Sequence, residues 1–141
     1  MSLIPEETYR SFLDSMPLLC VDCIIVNESG QYLLVRRINE PLKGEWWTPG
    51  GRVYKGETLE EAVRRKIHQE LGIRLKNLKP LGYYEDQFDR NPLNVNILHT
   101  LGVVFQAQPA SLEVHLDDQS NEWKFFENLP ERLVIKPFHS S

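Results

Sequence analysis

The chain has 141 residues, 41% of them hydrophobic and 26% charged, which suits one folded domain covering residues 1–141. A formal charge of -4, a pI near 5.6 and the lack of any Lys/Arg run exclude a general attraction for nucleic acid. No apolar stretch approaches the roughly 18 residues of a membrane span. Residues 1–7 lack a basic start followed by an apolar segment, so the expectation is a cytoplasmic protein with no membrane partner.

In chain order, "IPEETYRSFLDS" (residues 4–15) puts Pro5 at a helix start with acids in the first turn, and Pro17 closes it, predicting a short helix. "LLCVDCIIV" and "QYLLVRR" are apolar runs separated by "NESG", whose Asn27 and Gly30 suit a tight reversal. Residues 18–37 therefore read as a β-hairpin. Cys20 and Cys23 form a C-x-x-C pair, but side chains three apart on a strand point to opposite faces. Two free thiols are expected rather than half a zinc site. "EWWT" reads as a short strand and "PGG" as a turn. The later segments "LKPLGYYEDQF", "NVNILHTLGVVFQAQ", "LEVHL" and "NEWKFFE" are rich in β-branched and aromatic residues and read as strands, with "LPERLV" as a final helix. One strong internal helix among strands, with helices near both ends, predicts an α/β fold whose mixed sheet is covered on both faces.

The internal helix is the most sharply marked element. Thr58 followed by Glu61 is a capping box, and Gly72 suits a left-handed stop after Leu71. At about 100° per residue, Leu59, Val63, Ile67 and Glu70 share one side, with Lys66 beside them and Arg65 and Gln69 on the flank. Glu70 thus falls at the edge of a face that should be buried, where a lone carboxylate costs several kcal/mol unless paired or bound to metal. A salt bridge to Arg65 or Lys66 answers that need as well as a metal does. The preceding Gly50, Gly51 and Arg52 add a backbone that a ligand can approach closely and a fixed positive fork suited to phosphate.

These residues resemble the Nudix hydrolase box: Gly51, Glu57, Arg65, Ile67, Glu70, Gly72 and Ile73 match it, while Lys66 and Gln69 stand where it has glutamates. The resemblance implies a Nudix-type α/β/α sandwich around a mixed sheet, a divalent metal on the helix and a substituted nucleoside diphosphate as substrate. The thinning of the acids is similar to the GDP-mannose mannosyl hydrolase branch. So are "PLLCVDCIIVNESGQYLLVRR", "GEWWTPGGRV", "ETLEEAV" and "LDDQSNEWKFF". That branch attacks sugar C1 rather than phosphorus and releases GDP and mannose. The resemblance implies Mg²⁺ held by the Gly50 carbonyl, Glu70 and Gln119, with Arg37 and Arg52 on the diphosphate and Asp22 on the sugar. Arg65 either orients Glu70, reaches the phosphates or is an ordinary surface arginine. It further implies a homodimer, with residues 1–16 supplying base contacts through Leu3, Ile4 and Tyr9. Plain packing of Tyr9 is equally open.

One departure concerns water activation. The branch has a histidine general base after the metal-binding glutamine, and this chain has Ser120, whose hydroxyl is a poor base at neutral pH. Asp118, His99 and Asp86 are the candidate bases, with Asp117 and Glu122 also available. Loss of a positioned base costs about 10²- to 10⁴-fold in rate, which implies slow turnover or a different sugar. Two rival readings stay open: a phosphorus-attacking Nudix pyrophosphohydrolase acting on a nucleotide sugar or nucleoside triphosphate, and a non-catalytic nucleotide-sugar binding protein.

Overall fold

A computed structural model describes residues 4–39, 42–89, 95–111, 114 and 120–138. Among these the order is α1 (Glu6–Ser15), β1 (Leu18–Val26), β2 (Tyr32–Arg37), β3 (Trp46–Trp47), β4 (Gly50–Arg52), α2 (Leu59–Leu71), β5 (Leu75–Phe88), β6 (Leu98–Pro109), β7 (Ser120–Phe126) and β8 (Lys136–Pro137). The strands form one mixed sheet with the path β3-β2-β1-β6-β5-β8, to which β4 adds on β1 and β7 on β2. The result is an α/β fold with two helices among the described residues.

The hairpin closes as its residues require. Asn27 Oδ1 accepts from the backbone N–H of Ser29 and Gln31, and Gly30 takes the left-handed φ of 76°. Beyond the turn the strands diverge. β1 keeps β2 only at Ile25↔Leu33 and Val26↔Tyr32, then pairs β4 at Cys20↔Arg52, Val21↔Gly51 and Asp22↔Gly50. Along its other edge β1 runs parallel to β6 from Leu18↔Thr100 to Ile25↔Ala107. The glycine segment, expected as a turn, is therefore a strand, because β2 has left that edge of β1 and its backbone groups need partners.

Alternation along β1 divides the molecule. Val21, Cys23 and Ile25 point to one face and pack with Val63, Ile67 and Leu71 of α2 and with Val103, Phe105 and Ala107 of β6. Each such fully buried side chain contributes about 1.5–3 kcal/mol, so Ile67→Ala, at a fully buried position, costs about 2–5 kcal/mol. The reciprocal Thr58–Glu61 capping box and Gly72 at φ 72° set the bounds of α2 and hence which side chains it turns toward the sheet. A second cluster, Leu13 with Val95 and Leu98 against Tyr9, Leu18 and Phe88, seats α1 at the end of the sheet.

Two expectations differ further. "LPERLV" is not a helix but a turn closed by Leu133 N–H to the Pro130 carbonyl at 3.0 Å, since Pro130 bars helical geometry at the residue before it and leaves too few residues to propagate a helix. β5 begins at Leu75, three residues before "LKPLGYYEDQF", and continues through irregularities at residues 76–79 and 80–82. Of the expected strand "LEVHL", only Val114 is described, so the rest lies outside the described residues.

Candidate active site

The face of β1 opposite the core, at Leu18, Cys20 and Asp22, borders a cavity of about 290 Å³. Its roof is β4 and α2, through Gly50, Gly51, Arg52, Lys66 and Glu70; Arg37, Trp47 and Thr48 border one side, and Tyr84, Asp86, Leu98 and Thr100 the other. Register explains the last group: Tyr84↔Gly102 and Asp86↔Thr100 are paired positions of β5 and β6. A Cβ on Gly102 would lie 2.2 Å from the Tyr84 ring, so the glycine gives that ring its place.

Asp22 is only 4% exposed. Burial pushes its carboxyl up to about 7, against the hydrogen bond from the Tyr84 hydroxyl and the charge of Arg37. Burial, then the Asp22 carboxylate, pushes the Tyr84 hydroxyl up. Asp22 Oδ2 and Thr48 Oγ1 are buried without a hydrogen-bond partner among the described residues, and both residues line the cavity. Buried polar atoms of this kind carry a cost that a bound hydroxyl would offset.

On α2, Glu70 is 4% exposed and Lys66 Nζ stands 4.0 Å from its Oε2. The bland alternative for Glu70, a lysine partner, is thus present in this form. Arg65 does something else: its guanidinium donates to both Glu57 oxygens, to the Arg52 carbonyl at 2.9 Å and to Gln69 Oε1 at 2.9 Å, and lies 3.7 Å from the Tyr54 ring centre. Hydrogen bonds from Arg65 and from the Tyr54 N–H hold the Glu57 carboxyl below its usual value.

A second hollow of about 340 Å³ adjoins the first and shares Tyr9, Arg52 and Lys66 with it, adding Ile4, Glu6, Tyr54 and Arg65. The Arg52 guanidinium lies 4.8 Å from the Tyr9 ring centre and 4.9 Å from that of Tyr54. Such contacts orient it at little entropic cost.

The donors fit one oxygen-preferring ion. Gly50 brings bare backbone beside Asp22, where a Cβ would sit 2.1 Å from Oδ1, and the Glu70 carboxylate borders the same cavity. Hard oxygens with room for waters suit Mg²⁺. Among the described residues no group of three or more His, Cys, Asp or Glu converges.

The structure thus brings together Asp22, Arg37, Gly50, Arg52, Glu70, Tyr9 and Asp86. Ile4 joins only the second hollow. His99 does not reach the cavity: strand alternation turns it away from Leu98 and Thr100, into a hollow with Leu13 and Ile97, where its Nε2 is 3.6 Å from Glu85. Glu122 pairs with Arg36 on the exposed side of β2 at 3.0 Å. Asp86 borders the cavity but faces Arg132 at 3.5 Å, and burial raises its carboxyl. Leu3, Asp117, Asp118 and Gln119 lie outside the described residues, as does the side chain of Ser120. Cys20 and Cys23 are free, and burial pushes both thiols up to about 12. Tyr84, Thr48 and Thr100 escaped the sequence reading. The period-2 series Tyr84, Asp86, Phe88, polar and aromatic on one face, was the available signal.

The family profile of the NUDIX domain matches residues 16–136. The chain belongs to that family and is a Nudix hydrolase. The low-salt glycan biosynthesis protein Agl8 of Haloferax volcanii is 34% identical over 125 residues, 88% of this chain and 80% of that protein. The ADP-ribose pyrophosphatase of Methanocaldococcus jannaschii is 38% identical over 126 residues, 88% of this chain and 70% of that one. Among solved structures, the MutT NUDIX hydrolase from Burkholderia pseudomallei superposes with a TM-score of 0.71 at 30% identity, covering 85% of this chain and 92% of its own. No helix among the described residues is long and apolar enough to cross a membrane.

Proposed function

We propose that this protein hydrolyses a nucleoside-diphosphate sugar by attack of water at sugar C1 in the presence of Mg²⁺, with GDP-mannose as the substrate to test first. The observation that carries the reading is a cavity in which three cations, Arg37, Arg52 and Lys66, stand among three acids, Asp22, Glu70 and Asp86, that do not converge as a metal-holding group among the described residues. Transfer at phosphorus places charge on the migrating group, which such enzymes offset with metals held by several carboxylates. Displacement at C1 passes through an oxocarbenium-like state and chiefly requires a stabilised departing diphosphate.

In this reading Arg37 and Arg52 grip the diphosphate, and the rings of Tyr9 and Tyr54 hold Arg52 in line. When bound, Mg²⁺ would supply positive charge for the departing diphosphate; Glu70 and the Gly50 carbonyl would hold it, joined by Gln119, which lies outside the described residues. Asp22 Oδ2 and Thr48 Oγ1 take the sugar hydroxyls, which supplies the partners that these buried atoms lack. The C1–O bond to the diphosphate breaks, the water oxygen bonds to C1, and Asp86, a candidate base that borders the cavity, takes the water proton in this reading. The glycan biosynthesis relative is in keeping with a sugar-linked substrate.

The ADP-ribose pyrophosphatase relative favours a second reading, attack at phosphorus on a nucleoside diphosphate linked to ribose. Phosphorus NMR of reactions with GDP-mannose and with ADP-ribose, each with Mg²⁺, separates the two. GDP as the phosphorus-bearing product of GDP-mannose supports attack at C1. GMP with mannose 1-phosphate, or AMP with ribose 5-phosphate, would sink it.

A further inference from the structure

Lys66 occupies a position where the family's box has an acid, and its setting is more specific than a missing carboxylate. Its stem lies along the Gly51 backbone: a Cβ on that glycine would meet Lys66 Cε at 2.5 Å, Cδ at 2.9 Å and Cγ at 3.2 Å. The side chain, 18% exposed, borders both hollows, and its Nζ is 4.0 Å from Glu70 Oε2. That separation exceeds an N–H···O hydrogen bond, so the attraction is one of charge alone. Lysine is a compact charge on a flexible stem, free to re-aim where a bonded arginine fork is not.

We propose that Lys66 is an exchangeable cation of the site, neutralising Glu70 in the metal-free protein and moving to the diphosphate when a divalent ion takes the carboxylate. This rests on the reading of the cleft as a diphosphate site. Two positive groups cannot share one carboxylate without repulsion, so the arriving ion displaces the ammonium. The displaced ammonium stays over Gly51, at the boundary of the hollows bordered by Arg52, where a diphosphate brings the negative charge it needs. Lys66 therefore weakens metal binding alone, strengthens diphosphate binding and couples the two positively.

Calorimetry on the purified chain tests this with Mg²⁺ alone and with methylenediphosphonate in the presence of saturating Mg²⁺. Lys66→Met should bind Mg²⁺ about 3- to 10-fold more tightly and the diphosphonate about 10-fold more weakly, the scale of one charge-assisted hydrogen bond. Lys66→Arg should keep the diphosphonate affinity, and Gly51→Ala, which crowds the lysine stem, should shift both affinities in the direction of Lys66→Met. Affinities within twofold of wild type in Lys66→Met and in Gly51→Ala would make the ion pair merely structural and overturn the proposal. A wild-type protein that binds neither probe would overturn it together with the diphosphate reading. Products of phosphorus attack from the wild type would remove only attack at C1.

Discussion

Arg65 and Lys66 are consecutive residues of one helix, each beside an acid, and they are held in opposite ways. The Arg65 fork is bonded to Glu57, to the Arg52 carbonyl and to Gln69, and stacks on Tyr54. Lys66 stands 4.0 Å from Glu70 and presents its stem to two hollows. The difference teaches that the family's box has two jobs here. Arg65 and Glu57 lock the loop before the helix onto the helix, whereas Lys66 and Glu70 leave charge poised toward a cavity. Removing the first pair should cost stability, and altering the second should change binding and rate.

The largest effect is expected from Glu70→Gln, which keeps the shape and removes the charge. Its turnover should fall by roughly 10²- to 10³-fold, the range for one electrostatic group in a site. Its melting temperature should stay close to that of wild type, because the pair it makes with Lys66 is a loose one at 4.0 Å. A drop in melting temperature with rate unchanged would reverse the assignment of the two pairs.

Gly50→Ala comes next: its Cβ would meet the Val21 carbonyl at 2.2 Å and Asp22 Oδ1 at 2.1 Å, so the β1–β4 pairing must shift. A loss of about 1–3 kcal/mol in chemical denaturation is expected. Gly51→Ala meets only the flexible Lys66 stem and should leave stability nearly unchanged. Equal stability losses in the two alanine variants would erase the distinction between a rigid and a yielding neighbour.

Glu57→Gln should show a smaller effect that depends on pH. The folded-state pKa of Glu57 lies below its ordinary value of 4.5, so the ionised acid favours the folded state. That stability is present above about pH 4.5 and is lost as pH falls through the lower folded value. Wild type and Glu57→Gln should therefore differ most at pH 7, by about 1–3 kcal/mol, and converge at acid pH. A constant difference across the titration would show that geometry, not charge, makes this tie.

Local features were legible in the sequence because they are decided by neighbours. The Thr58–Glu61 box, the Gly72 stop, the Asn27–Gly30 reversal and the opposed thiols all depend on residues within a few positions of each other. The inserted strand at Gly50–Arg52 was not legible, since it depends on where β2 parts from β1. Nor was the wall formed by Tyr84 and Thr100, which depends on the register between β5 and β6 and on the space left by Gly102. "LPERLV" misled because its composition suits a helix while Pro130 restricts the backbone that would begin one. Lys66 was legible as a departure from the motif and as one of two possible partners of Glu70; its distance to that acid and its path over Gly51 required coordinates.

The most direct test of attack at carbon is turnover of GDP-mannose with Mg²⁺ in ¹⁸O-labelled water, read by mass spectrometry of both products. The account predicts label in free mannose and none in GDP. Label in a phosphate oxygen of GMP or of mannose 1-phosphate would contradict it.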